Sequence, residues 1–357
     1  MKSIPILGNY QKFPKKHLAG KICLSPFVSA TILINGDITI CGCIDWQPTI
    51  VGNIFKQPLI EILNNSISQE IRQTILNGTY DFCNAENCGI IQSNQLNDYV
   101  SLDTDLKNKI KTQVGLPREI IFSGDKTCNL SCPSCRTKVI KLNDTEIEKQ
   151  LELGNLVSKN LFSEPTDNII LLTLSTSGEL FASPMLLHFL NSINVDDFPN
   201  LTLHIQTNGL LAKAKWQRLG AFQNKISRIT VTFDASEKNT YEIVRRGGKW
   251  EDLLDNLDFL KNKKMEQNFE FNSRMIVQQQ NYKQMKSFYN LSQEYMFDRV
   301  EYGRITNWYT WSFEEFKLQD VFSIDHPEYC TAQQNLKLVY ELPKTMFFSG
   351  LNIDRTL

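Results

Sequence analysis

Between Lys126 and Thr137 the chain reads K-T-C-N-L-S-C-P-S-C-R-T, which sets Cys128, Cys132 and Cys135 in a C-x3-C-x2-C loop just after an apolar, strand-like run. A cubane [4Fe-4S] cluster has four irons, so a loop with three cysteines either borrows a fourth ligand or leaves one iron free to bind a reactant. The competing reading is a structural zinc loop, normally a C-x2-C pair joined by a second pair to close a tetrahedral site.

The other thiols are unevenly placed. Of nine cysteines, eight precede residue 136 and Cys330 stands alone. In a reducing cytosol such a set points to metal or redox chemistry rather than to disulfides. The N-terminal stretch M-K-S-I-P-I-L-G-N-Y-Q-K-F-P-K-K lacks a continuous apolar region, and no run approaches the roughly 18 residues of a membrane span. The expected location is therefore cytoplasmic, with no membrane partner. Formal charge is -1 with both signs interspersed, which leaves no basic stripe to track a phosphate backbone, so no nucleic-acid partner is expected. The lysine-rich runs at 12–16 and 261–264 read as solvated faces.

The elements that must hold these residues follow from periodicity. At 357 residues the chain has room for one large barrel and a smaller domain. From about Pro117 onward, six apolar runs alternate with helix-like segments: Ile120 to Ser123, Asn168 to Leu174, Leu201 to Gln206, Arg228 to Phe233, Phe269 to Val277 and Arg299 to Ile305. That alternation predicts an α/β fold, a parallel sheet with crossover helices forming a partial (β/α)6 barrel. Asn143 and Glu146 make a capping-box pattern, and Trp250, Leu253, Leu254, Leu257 and Leu260 form a helical stripe after Gly248.

The first hundred residues differ. Thr31 to Ile34 and Ile38 to Cys41 flank Asn35-Gly36, which predicts a hairpin with a type I′ turn. Ile67, Ile71 and Ile75 predict a helix closed by Gly78. Residues 90–116 show no strong core pattern and read as a linker. The expected domains are thus a small cysteine-bearing domain over 1–100, a barrel over 115–310 and a C-terminal extension over 311–357.

In α/β barrels reacting groups gather at the carboxyl ends of the strands, and here each further motif sits at such an end. The second strand is followed by Ser177-Gly178-Glu179, the third ends in Q-T-N-G with Thr207 and Asn208, and the fourth ends in T-F-D-A-S-E with Thr232 and Asp234. Next comes Y-E-I-V-R-R-G-G, which contains Arg245 and Arg246. Following a three-cysteine loop with an asparagine after its first cysteine, this series resembles the radical S-adenosylmethionine (radical SAM) enzymes.

The resemblance implies a role for each position. Ser177, Gly178 and Glu179 match an element that contacts the methionine amino group of SAM, with serine where the family has its first glycine. Thr207, Asn208, Thr232 and Asp234 resemble positions lining the cosubstrate's ribose and methionine, and Arg245 or Arg246 resembles the arginine that pairs with its carboxylate. Ser134 stands where an aromatic residue commonly packs on the adenine, so that stacking must come from elsewhere. The implied chemistry is reductive cleavage of SAM to a 5′-deoxyadenosyl radical that removes a substrate hydrogen, with a flavodoxin- or ferredoxin-type electron donor.

The N-terminal thiols resemble a SPASM or twitch domain, here placed before the barrel rather than after it. Cys23, the Gly36 to Cys41 G-x4-C relation and the C-x4-C pair Cys83 and Cys88 carry that likeness. It implies an auxiliary [4Fe-4S] cluster on Cys23, Cys41, Cys83 and Cys88, with Cys43 as the spare or in place of Cys41; four thiolates also suit zinc. The association points to a ribosomally made peptide as substrate, the alternatives being a sugar or other small molecule, or a non-catalytic metal-binding or electron-transfer protein. Cys330, after the sixth strand, reads as a buried inert thiol or a hydrogen-atom donor. His17, His188, His204 and His326 read as structural, and Tyr302, Trp308, Tyr309, Trp311 and Phe313 as packing at the barrel end or contacting substrate.

Overall fold

A computed structural model describes residues 12–13, 18–92, 94–174 and 177–354. The chain divides into two compact units, one of Met1–Lys126, Asn143–Ser177 and Pro184–Leu203, the other of Thr127–Leu142, Gly178–Ser183 and His204–Leu357.

The first unit holds β1 (Lys21–Ile22), β2 (Ser29–Leu33), β3 (Asp37–Thr39), β4 (Gly52–Asn53), β5 (Asn97–Asp98), β6 (Glu119–Ser123) and β7 (Leu171–Leu174). Strands β1 and β5 form a separate antiparallel pair, and the others lie in the order β7-β6-β2-β3-β4. β6 is parallel to both β7 and β2, whereas β2, β3 and β4 are antiparallel. The predicted hairpin thus lends its first strand to the first strand of the α/β run. Its turn is not type I′: Gly36 has φ +81° but Asn35 is not at positive φ, and Gly36 N–H donates to the Leu33 carbonyl at 2.9 Å. Three loop residues with a left-handed glycine last give a type I turn and a bulge.

Helix Ser66–Leu76 forms where the isoleucine spacing places it, and Ile67, Ile71 and Ile75 are buried on one face. The same helix buries Arg72, whose guanidinium donates to the carbonyls of Pro26 (2.6 Å), Leu63 (2.6 Å) and Thr112 (2.9 Å). The segment read as a linker is therefore built in: β5 pairs with β1, Ile110 joins the core of Ile22, Phe27 and Val28, and Thr112 is tied to Arg72. Helix Asp144–Leu161 carries the expected capping box on Asn143 and Glu146.

The second unit holds β8 (Thr202–Thr207, from His204 on), β9 (Ile226–Thr232), β10 (Glu270–Val277), β11 (Arg299–Arg304) and β12 (Thr345–Phe348), in that order across the sheet. β9 through β12 are parallel. β12 comes from the region expected only as an extension, reached from β11 through helix Tyr329–Tyr340. One face of β9 to β11 is apolar, with Ile229, Val231, Phe271, Met275, Val300 and Tyr302 buried. The other face is polar: register sets Thr232, Arg274 and Glu301 in one row, and Arg274 joins Glu301 at 2.6 Å and Gln206 at 3.2 Å. Parallel strands buried on both sides read as continuous apolar runs, so a polar face marks a surface reserved for something other than core. Among the described residues no helix is long and apolar enough to cross a membrane.

Candidate active site

The three-cysteine loop lies wholly in the second unit. Cys128 and Cys132 are buried and Cys135 half-buried, with Leu130 and Leu210 packed among them. The amides of Cys135 and Arg136 both donate to the Cys132 carbonyl at 2.9 Å, and Ser131 N–H donates to the Arg246 carbonyl at 3.0 Å. Burial pushes the Cys128 thiol up to about 11, opposed by Arg136, and raises Cys132, opposed by Arg245.

Each sulfur meets a side-chain N–H. Asn208 Nδ2 lies 3.8 Å from Cys128 Sγ, Arg245 Nη1 3.7 Å from Cys132 Sγ and Arg136 Nη2 3.3 Å from Cys135 Sγ. Leu130 N–H also reaches Cys128 Sγ at 3.4 Å.

Glu179 ties the strand ends to this loop. Its N–H donates to the Thr127 carbonyl at 2.8 Å, its Oε1 accepts from Thr207 Oγ1 at 2.7 Å and Phe181 N at 3.2 Å, and its Oε2 accepts from Asn208 N at 2.7 Å. Burial raises its pKa, and the bonds from Asn208, Thr207 and Phe181 oppose that rise. Asp234 sits at φ +60°, its Oδ1 accepting from Ile276 N at 2.8 Å and its Oδ2 paired with Arg245 Nη2 at 2.7 Å. Each carboxylate oxygen therefore has one protein partner, which fixes the orientation of Asp234 and of Arg245 beside it. Burial raises the Asp234 pKa, and the Arg245 charge opposes the rise.

The two arginines differ. Arg246 is spent on the loop, its Nε on Ser131 Oγ at 3.2 Å and its Nη2 on the carbonyls of Thr137 (3.1 Å) and Arg136 (3.4 Å). Among the described residues Arg245 Nε is buried without a hydrogen-bond partner, as is Tyr241 Oη. A buried orphan donor costs stability unless a ligand satisfies it, so beside Cys132 this donor fits a carboxylate-bearing cosubstrate.

Thr207, Asn208, Glu179, Asp234, Arg245 and Arg246 are thus brought together with the three thiols. Thr232 lies in the Arg274 and Glu301 row. Gly178 is half-buried, while Ser177 belongs to the first unit, where its Oγ bonds Ser123 Oγ at 2.9 Å and donates to the Asp125 carbonyl at 3.1 Å. Gln206, Arg274 and Glu301 were not anticipated. Their signal was polar residues at alternate positions in strands 8, 10 and 11.

The N-terminal thiols meet elsewhere. Within the first unit, Cys23, Cys41, Cys83 and Cys88 line one cavity of about 420 Å³ together with Trp46 and Tyr80; Cys43 is not in its wall. Burial raises all four thiols, and ligation by a metal centre overcomes such a rise by binding the thiolate. Four thiols on one cavity fit a closed tetrathiolate cluster. Among the described residues no three His, Cys, Asp or Glu side chains close on a single ion, and a cubane asks for none, since each thiolate binds its own iron.

Other expectations need correction. Cys330 is exposed rather than buried. The buried face of its helix carries Ala332, Leu336 and Val339, and at 100° per residue Cys330 lies about 200° from Ala332. The aromatic group splits: Tyr302 is core, whereas Trp308, Tyr309 and Phe313 are exposed, with Lys317 Nζ over the Phe313 ring at 4.3 Å from its centroid. His204 and His326 are buried and hydrogen-bonded, to Thr230 Oγ1 at 3.0 Å and the Leu318 carbonyl at 3.3 Å; His188 is exposed, and His17 lies outside the described residues. Lys261, Lys263 and Lys264 each bond a neighbour, Glu294, Glu266 and Asp298 respectively.

Comparison with known proteins matches two domain models to this chain. The model of the radical SAM superfamily matches residues 126–292, and that of the SPASM iron-sulfur cluster-binding domain matches 23–89. Streptococcus suis SuiB, solved with S-adenosylmethionine, is 11% identical with a TM-score of 0.44, covering 80% of this chain and 62% of its own. Methylornithine synthase (PylB) is 12% identical with a TM-score of 0.37, covering 62% of this chain and 61% of its own. The enzyme anSMEcpe with bound AdoMet is 15% identical with a TM-score of 0.34, covering 52% and 49%. This chain therefore spans about three fifths or less of the length of those structures. No curated protein matches its sequence. Iron-sulfur clusters and SAM are the cofactors of the two matched domains, and the chain carries a radical SAM superfamily domain over 126–292 with a SPASM domain ahead of it.

Proposed function

We propose that the protein is a radical SAM oxidoreductase. Cys128, Cys132 and Cys135 hold a [4Fe-4S] cluster with one iron open to SAM, and Cys23, Cys41, Cys83 and Cys88 hold an auxiliary [4Fe-4S] cluster. The observation that carries this reading is the convergence of Glu179, Thr207, Asn208 and Arg245 on three thiols that leave a ligand position unfilled. Held by these thiolates, a reduced cluster would supply the one electron that splits SAM into methionine and a hydrogen-abstracting 5′-deoxyadenosyl radical. The protein's part is positional. Arg245 offers its unpaired Nε–H to the methionine carboxylate while Asp234 holds its other end. Glu179 fixes the turn after β8, so that Asn208 faces the loop. The row of Thr232, Arg274 and Glu301 with Gln206 lines the polar face that receives substrate.

The substrate we favour is a ribosomally made peptide, in which hydrogen removal leads to a crosslink, an inverted centre or an oxidised side chain; the SPASM domain supports this class. A flavodoxin- or ferredoxin-type protein supplies the electron.

The reading is tested by mixing anaerobically reconstituted protein with dithionite and SAM. 5′-Deoxyadenosine should form, Cys132→Ala should abolish it, and Cys43→Ala should leave it largely intact; no product from a protein with its cluster intact refutes the activity. Peptides encoded beside the gene, co-expressed with the protein, should change in mass or in hydrolysed-residue chirality. Turnover of a sugar instead would replace the substrate class but not the chemistry.

A further inference from the structure

We infer that Arg136, Asn208 and Arg245 are positioning residues that set the reduction potential of the cluster on Cys128, Cys132 and Cys135, each giving one N–H to a different ligand sulfur. This rests on the proposed ligand set. The arrangement is one side-chain donor per thiolate, from three separate segments: Asn208 from the end of β8, Arg245 from the end of helix Lys238–Val244, and Arg136 from the loop itself, with the Leu130 amide a backbone donor to Cys128.

The donors are held in these orientations by other partners. Asn208 Oδ1 accepts from Leu210 N at 3.0 Å, which fixes the amide so that Nδ2 points to Cys128 Sγ and to Asn129 Oδ1 at 2.9 Å. Asn208 N–H is itself fixed on Glu179. Arg245 is anchored by Asp234, and Asp234 by the Ile276 amide. Arg136 is buried, and the turn from the Cys132 carbonyl to its own amide sets where its side chain begins.

The physical consequence has one sign. Reduction adds an electron, and N–H donors and positive charge at the sulfurs stabilise the more negative state, which raises the potential. Two of the three donors are guanidinium groups, whose charge no pH change in the working range removes. A cluster buried among apolar side chains such as Leu130 and Leu210 would otherwise resist taking on that charge. The three donors counter that burial, so a biological donor of moderate potential can reduce the cluster.

The experiment is an anaerobic redox titration of the full-length protein carrying both clusters, followed by electron paramagnetic resonance. The SAM-site cluster is identified by its spectral response to SAM, and the second cluster serves as an internal control. Arg136→Gln and Asn208→Asp should each make the SAM-responsive cluster at least about tenfold harder to reduce, a fall of about 59 mV for one electron. The second midpoint should stay in place, and Arg136→Lys should recover part of the shift. Arg245→Lys, which keeps the ion pair with Asp234 but shortens the reach to Cys132, should give a smaller fall than Arg245→Gln. Wild-type midpoints in all of these variants would overturn the inference. Loss of the cluster from every variant would overturn it too, because the donors would then build the loop rather than tune it. If Cys135→Ala keeps the SAM-responsive spectrum, the ligand reading itself has failed, and the inference falls with it.

Discussion

Both oxygens of Glu179 are committed inside the protein, and the same holds for Asp234. Neither carboxylate is left to move a proton, which agrees with chemistry in which side chains orient and the cofactor reacts. A different buried titratable group carries a pH signature. His204 on β8 is lowered to about 3, first by burial and then by the charges of Arg228 and Arg274. In the unfolded chain it titrates near 6.5. Between those values the unfolded state binds the extra proton, so the stabilisation is fully present above about pH 6.5 and is lost as pH falls toward 3. From pH 7 to pH 5 that loss amounts to about 2 kcal/mol. Urea unfolding at the two pH values should show wild type losing about 2 kcal/mol more than His204→Gln. Acid damage to the clusters affects both proteins alike, so an equal loss in the two would mean that His204 is protonated in the folded state.

Arg72 does for a helix and a connection what no local pattern announces. Its guanidinium satisfies three carbonyls, those of Pro26, Leu63 and Thr112, and burial lowers its pKa to about 10. Replacing it with methionine keeps most of the packing but strands those buried acceptors. Arg72→Met should therefore cost on the order of 3 kcal/mol, and limited proteolysis should cut the 97–116 segment faster; unchanged proteolysis would show that Arg72 does not staple that connection. This contact explains why residues 90–116 read as a linker: what holds them is a side chain some forty residues earlier. Elements set by local signals were legible, among them the six strands, the helix of Ile67, Ile71 and Ile75, and the Asn143 to Glu146 capping box. The turn type was not, because Asn-Gly suits a two-residue loop whereas strand register here leaves three residues to the turn. The cysteine loop was singled out by its spacing, and Glu179 by its likeness to a family element. The engagement of Asp234 with Arg245, and the polar row of Arg274 and Glu301, depend on pairing between strands and so could not be read from one strand at a time.

The cysteines of the two proposed metal centres belong to different units of the chain, so the centres should be separable by substitution but not by truncation. The reason lies in β2. It carries Ala30 and Ile32 into the core and pairs in parallel with β6 over five residue pairs, Ser29 with Glu119 through Leu33 with Ser123. Cutting the chain at residue 116 would strip that partner away, leaving β6 with an unpaired backbone edge beside Ile120 and Phe122, both fully buried. An exposed edge of apolar sequence recruits other chains. Changing Cys23, Cys41, Cys83 and Cys88 together to serine removes the thiolates while keeping the strand. The full protein should hold about eight irons per chain and the fourfold variant about four, with the remaining cluster still responding spectroscopically to SAM. The fragment 117–357 should elute as aggregate in size-exclusion chromatography and retain little iron. A monodisperse fragment with about four irons would mean that β2 is dispensable to the strand it pairs with, and about eight irons in the fourfold variant would place the auxiliary cluster on other residues.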